Sequence, residues 1–179
     1  MEETTQAHQF LHSYCIRPDV RFEFQAEAEE IILVLRAHPI TQIPWIFNSV
    51  VFFMALILLN LVFPTFFSLT QILFINVFGF FLILSYIWFN FLGWFFNVGI
   101  ITSQRVIDID FDNVIYKEVT GARLDKIQDT TSKGGGFFES FFNYGNLFIQ
   151  TAGTEENIEF IKIPSPSDVV RIIDDLTGK

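Results

Sequence analysis

Apolar and polar positions follow two different rhythms along this chain. From Ala37 to Gln104 there is no Asp, Glu, Lys or Arg, and the centre of that run is crowded with Phe, Leu, Ile and Val. A membrane-spanning helix takes roughly 20 mostly apolar residues. The run is too long for one such helix and fits two, Ile43–Phe63 and Ile72–Phe96. Pro64, Ser68 and Thr70 break it between them, and so short a connection forces an antiparallel hairpin. Trp45, Trp88 and Trp94 lie near the expected ends, where indole rings favour the membrane–water interface.

After Phe96 the rhythm changes to short alternating runs. Val98–Thr102 reads as a strand leaving the hairpin. Arg105–Phe111 alternates with period two, Val106, Asp108 and Asp110 on one face and Ile107, Ile109 and Phe111 on the other, which argues a half-buried strand. Solvent is the simplest destination for the two aspartates. Asp112-Asn113 makes a two-residue turn, and strands are expected at Val114–Thr120, Ala122–Thr130, Asn146–Ala152 and Ile158–Ile163. The last element is a helix: Ser165 stands at the N-cap, Pro166 at the first helical position and Asp168 in the first turn. Val169, Ile172, Ile173 and Leu176 form its apolar face, and Gly178 ends it. Val20–Gln25 and Glu30–Arg36 also read as strands, one or both expected to add to the C-terminal sheet.

The organisation that follows is an N-terminal segment (1–42), a transmembrane hairpin (43–96) and a C-terminal domain (97–179). Charge refines the picture. The formal net charge is −9, with 3 Lys/Arg against 7 Asp/Glu before the hairpin and 8 against 13 after it. A nucleic-acid binder would show a basic face, so nucleic acid is not an expected partner; the lipid bilayer is. Arg21 and Arg36 precede the first span and Arg105 follows the second, while the connection between spans has no Lys or Arg. The positive-inside rule therefore puts both termini in the cytoplasm, the hairpin in the inner (plasma) membrane. The acidic start lacks the apolar core of a cleavable leader, and one cysteine excludes an internal disulfide. No Asp, Glu, Lys, Arg or His lies within the spans, which argues against a pump. Asn48, Asn60, Asn76 and Asn90 read as hydrogen-bonding or interfacial residues, and Gly79 and Gly93 as places where helices approach closely.

The C-terminal segments, "ITSQRVIDID", "ARLDKIQDTT", "FFNYGNLFIQTAG" and "IPSPSDVVRII", resemble the bacterial pleckstrin-homology (PH) domain, and the whole is similar to small membrane proteins in which two transmembrane helices precede that domain. The resemblance covers roughly residues 47–176 and is carried by Thr102–Arg105 (T-x-x-R), Leu124–Asp129 (L-x-x-I-x-D) and Gly145-Asn146-Leu147. It implies an α+β fold: a two-helix hairpin plus a bent antiparallel sheet or barrel capped by the C-terminal helix. It also implies a binding module, with no catalytic residues and no cofactor. A membrane-tethered binding or scaffolding protein is expected, acting on a protein partner or forming a homo-oligomer. The alternatives are a lipid or amphiphile binder and an accessory subunit of a transport or envelope complex.

Other constellations carry less. His8, His12 and Cys15 have a metal-compatible spacing, but no metal site is expected from three ligands in an N-terminal tail. Asp108, Asp110 and Asp112 lack the glycine and glutamate of a calcium loop. Lys133-Gly134-Gly135-Gly136 has the wrong order for a phosphate loop. Arg123, Lys126 and Lys133 are outweighed by Asp110, Asp112 and Glu118 where a phosphoinositide headgroup would need cations. Phe137, Phe138, Phe141 and Phe142 fall on one side of a short helix. They either fill the open end of the barrel or are the candidate membrane or partner contact.

Overall fold

The computed structural model describes residues 12–18, 25–112, 116–152 and 157–178. Two strands, β1 (Tyr14–Ile16) and β2 (Ile31–Leu35), pair antiparallel at the N-terminal end. β2 reads IILVL, apolar at every position, and its two faces serve two clusters. Leu33 and Leu35 enter the main core, whereas Ile31 and Val34 join Cys15, Ile100 and Ile107 on the other side of the sheet. β1 is only three residues long, too short to register as a pattern. The expected strand at 20–25 falls largely on 20–24, outside the described residues.

A 3-10 turn, Pro39–Gln42, leads from β2 into helix α1 (Ile43–Leu59). Helix α2 (Leu69–Phe96) returns and passes through Asn97 alone into β3 (Val98–Thr102). β3 then pairs antiparallel with β2, Leu35 opposite Gly99. The helical hairpin thus stands where a loop would join two neighbouring strands. α1 stops at Leu59 rather than Phe63: Pro64 has no N–H for the carbonyl of Asn60, and the chain tightens into a 3-10 turn at Phe63–Thr65. α2 starts at Leu69 rather than Ile72. The side chain of Gln71 reaches back to accept the Ser68 N–H at 2.9 Å and secures the first turn.

The helices touch along a narrow seam. Asn60 and Asn76 donate to each other's side-chain oxygens at 2.8 and 2.7 Å, and each also donates to a carbonyl in its own helix, that of Leu56 or Ile72. Asn90 bonds the carbonyl of Tyr86, and Asn48 faces outward. A Cβ on Gly79 would sit 3.0 Å from Leu56, so this glycine permits the close approach; Gly93 has no neighbour there. The outer surfaces expose Phe47, Phe74, Phe78, Phe81 and Phe89. The helical stretch Pro39–Thr65, which contains α1, and α2 are each long and apolar enough to cross a membrane.

The chain continues through β4 (Arg105–Asp112), β5 (Tyr116–Arg123), β6 (Ile127–Lys133), a short helix α3 (Phe137–Phe142), β7 (Tyr144–Thr151), β8 (Ile158–Pro164) and helix α4 (Pro166–Thr177). Two antiparallel sheets result, ordered β1-β2-β3-β4-β5 and β6-β7-β8. Their inward faces and α4 share one core that includes Leu33, Ile101, Val106, Leu147, Ile149, Phe160, Val169 and Ile173. The two sheets approach tightly at Gly99, where a Cβ would fall 2.6 Å from the Phe160 ring. This is the α+β, helix-capped sheet architecture that the PH resemblance implies.

Three local expectations change. The corner between β5 and β6 is a 3-10 turn at Leu124–Lys126, not a break at Gly121. Gly121 lies inside an extended ladder opposite Ile107, while Leu124 turns into the core. Ser165 precedes α4 but does not cap it with its hydroxyl, because its backbone is left-handed (φ 45°); its Oγ instead accepts a hydrogen bond from Asn143 at 2.9 Å. Asp108 does not point to solvent. It shares the inward parity of Val106, which is fully buried, and becomes half-buried itself.

Candidate functional site

The register of the strands gives the sandwich two unlike ends. At the end remote from the hairpin, β2 begins, β3 finishes and β4 starts. Glu29, only 3% exposed, lies there. Arg105 grips it through two bonds, Nε to Oε1 at 2.9 Å and Nη2 to Oε2 at 3.0 Å. Thr102 donates to Oε1 at 2.7 Å and its hydroxyl accepts the N–H groups of Gln104 and Arg105. The T-x-x-R segment is therefore a clamp: the threonine closes the β3–β4 turn and the arginine neutralises a buried carboxylate from the N-terminal segment. The hydrogen bond from Arg105 holds the Glu29 carboxyl below the usual carboxylate range.

The opposite end carries the hairpin. Several contacts fix the join. Trp94 donates from its indole to the carbonyl of Ala37 at 2.8 Å. The guanidinium of Arg36 lies 4.7 Å over the Phe95 ring. Phe111 donates its N–H to Asn97 at 2.7 Å. His38 donates its N–H to the carbonyl of Lys162 at 2.7 Å. The His38 ring stacks on Tyr144, centroids 5.6 Å apart. Burial lowers the His38 pKa, in keeping with a neutral ring whose Nδ1 accepts the Ile40 N–H. Sequence reasoning singled out none of His38, Asn97 and Tyr144 and used Arg36 only for orientation. The available signal was position, since the first three are polar or aromatic residues at the margins of apolar runs.

A cleft of about 300 Å³ opens at this join between the ends of β2 and β3 and the strands β4 and β8. Arg36, Asn97, Asp108, Asp110, Glu159 and Lys162 contribute to its wall. Burial, reinforced by the like charges of Asp110 and Glu118, pushes the Asp108 carboxyl up to about 7. The cleft thus combines a carboxyl group poised near neutrality with a buried guanidinium.

The other marked residues are scattered. His8 lies outside the described residues, His12 is exposed and Cys15 is buried in β1. Among the described residues no group of three or more His, Cys, Asp or Glu could hold a metal ion. Lys133 ends β6 with its ammonium 4.5 Å over the Phe148 ring, and Arg123 pairs with Asp125 at 3.2 Å. The four phenylalanines do form α3. Phe137, Phe138 and Phe141 are 75, 67 and 70% exposed, so they do not fill the open end of the sandwich; Phe142 is half-buried. The Phe137 and Phe141 rings stack at 5.9 Å.

Comparison with known proteins supplies one match: a family model described as Bacterial PH domain covers residues 41–177. No curated protein and no solved structure matches the chain.

Proposed function

The chain belongs to the bacterial PH domain family, and from that premise we propose that it is a membrane-tethered, non-catalytic binding or scaffolding protein. PH domains in general bind proteins or lipids rather than transform substrates. The tether is the α1–α2 hairpin, spanning the bilayer twice with both ends of the chain in the cytoplasm. At 28 residues and about 1.5 Å per residue, α2 is long enough for a hydrocarbon core of roughly 30 Å. Its exposed phenylalanines would be costly in water. The orientation rests on Arg36 and Arg105 beside the spans and on the absence of Lys or Arg from 60–68.

The observation that carries the reading is the splice of the hairpin between paired strands. Both crossings from helix to sheet are short, residues 36–42 on one side and Asn97 on the other. A domain on a single flexible linker could wander; two short crossings hold this one close against one leaflet. Such a holder suits a protein that presents a fixed surface to a partner or to copies of itself. Purifying the full chain in mild detergent and determining its mass and composition tests this. The expected result is a defined assembly, either of its own copies or with a stoichiometric partner protein, the latter including an accessory-subunit role. A monomer accompanied only by stoichiometric lipid would replace this reading with that of a lipid or amphiphile binder.

A further inference from the structure

We infer that α3 is a third membrane contact, an aromatic foot that dips Phe137, Phe138 and Phe141 into the same leaflet interface that the hairpin enters. The inference rests on the reading of α1 and α2 as bilayer-spanning.

Position carries it. α3 joins β6 to β7, and the adjoining strand ends, Lys133 and Tyr144, are those paired with Asn146 and Pro164. That is the hairpin end of the smaller sheet. Tyr144 lies two residues beyond α3 and stacks on His38, and Pro39, the next residue after His38, begins the first candidate span. The same His38 bonds the carbonyl of Lys162 on β8. The exposed rings therefore sit beside the level at which the chain enters the apolar hairpin, and the membrane surface is continuous with that level.

The local chemistry selects a bilayer interface. α3 reads FFESFF, and on a helix Phe137 and Phe141 share one face with Phe138 beside them, while Glu139 and Ser140 lie opposite. The Glu139 carboxylate turns back to accept the N–H of Gly135, so it is held at the loop rather than among the rings. Gly136, with φ 113°, and Asn143, with φ 51°, bracket the turn, and these backbone conformations set the short helix apart from the flanking strands. Phenylalanine rings on one face of a surface helix bury themselves at the boundary between headgroups and acyl chains, as the apolar faces of interfacial helices do. The nearby charges, Lys133 and Glu139, cancel formally, so burial of apolar surface rather than attraction to anionic lipid drives the contact. The foot and the two crossings would together fix the tilt of the domain, which two adjacent crossings alone leave free about the line joining them.

Spin labelling of the full chain in phosphatidylcholine vesicles tests the inference. A Cys15→Ala background carries a nitroxide at one of three positions: Phe138→Cys on the foot, Phe81→Cys in the middle of α2, or Asp125→Cys at the remote end. All three are exposed, so labelling leaves the fold intact. The expected result is that position 138 loses collisions with a water-soluble nickel complex and gains collisions with oxygen relative to position 125, at a depth shallower than position 81. The inference is overturned if position 138 behaves like position 125. It is equally overturned if position 138 is shielded from both reagents, which would indicate a protein partner or second copy on α3. Water exposure at position 81 would instead defeat the tether reading and the foot with it, so the two failures are distinguishable.

Discussion

The two ends of the sandwich treat a carboxylate withdrawn from water in opposite ways, Glu29 being buried and Asp108 half-buried. At the remote end Glu29 is matched by Arg105 and Thr102 and favours its ionised form. At the hairpin end partial burial and the like charges around it push the Asp108 carboxyl up to about 7. The remote end is built for stability, joining the N-terminal segment to the T-x-x-R turn. The hairpin end keeps a charge conflict open beside a cleft.

Breaking the remote clamp should have the largest effect. Glu29→Ala removes the partner of Arg105 and is expected to cost about 2–3 kcal/mol, since Arg105 retains some access to water. Denaturant unfolding of the full chain in detergent measures it. The Glu29 carboxyl is held below its ordinary value of 4.5, so its contribution is present above that pH and is lost as the pH falls further. The gap between wild type and variant should therefore close in acid.

At the hairpin end, Gly99→Ala drives a methyl group into the Phe160 ring and should cost roughly 1–3 kcal/mol by overpacking. The same titration should find no pH dependence in that loss. Asp108→Asn sharpens the contrast because its sign is reversed. A carboxyl whose pKa rises from 3.8 to about 7 on folding destabilises the fold progressively as pH rises through that window. The variant should match wild type near pH 4 and exceed it by roughly 1–2 kcal/mol at pH 8, a figure discounted for partial exposure. The smallest effect belongs to the hairpin seam. Asn76→Leu removes half of the Asn60–Asn76 pair and should cost about 0.6–1 kcal/mol, read as earlier separation of the helices on heating.

Most of the fold is legible wherever the period is sustained. The hairpin, β3, β4, β7, β8 and α4 follow from long apolar runs, strict alternation or a helical stripe. β1 is not legible, because three residues carry no period. The β5–β6 corner misleads because Gly121 looks like a break, yet an extended strand tolerates glycine and it is Leu124 that must turn inward. The destination of Asp108 is subtler. Its alternation with Ile107 and Ile109 is readable, but that strand, paired with β3 and β5, sends Val106 into the main core and Ile107 into the second cluster, so parity alone cannot tell which side meets water. For the candidate site, the α3 phenylalanines stand out by composition and their exposure does not, since apolar clusters serve cores as readily as surfaces. His38, Asn97 and Tyr144 act through contacts between segments far apart in sequence, which no local pattern encodes.

The central claim is that the hairpin crosses the bilayer and returns both strand ends to one side. Single cysteines at Ser103, on the remote end, and at Phe66, on the hairpin turn, placed in a Cys15→Ala chain, can be probed in intact spheroplasts with a membrane-impermeant maleimide. Phe66→Cys should react at once and Ser103→Cys only after the membrane is permeabilised. Reaction of both positions before permeabilisation, or of Ser103→Cys alone, would contradict the account.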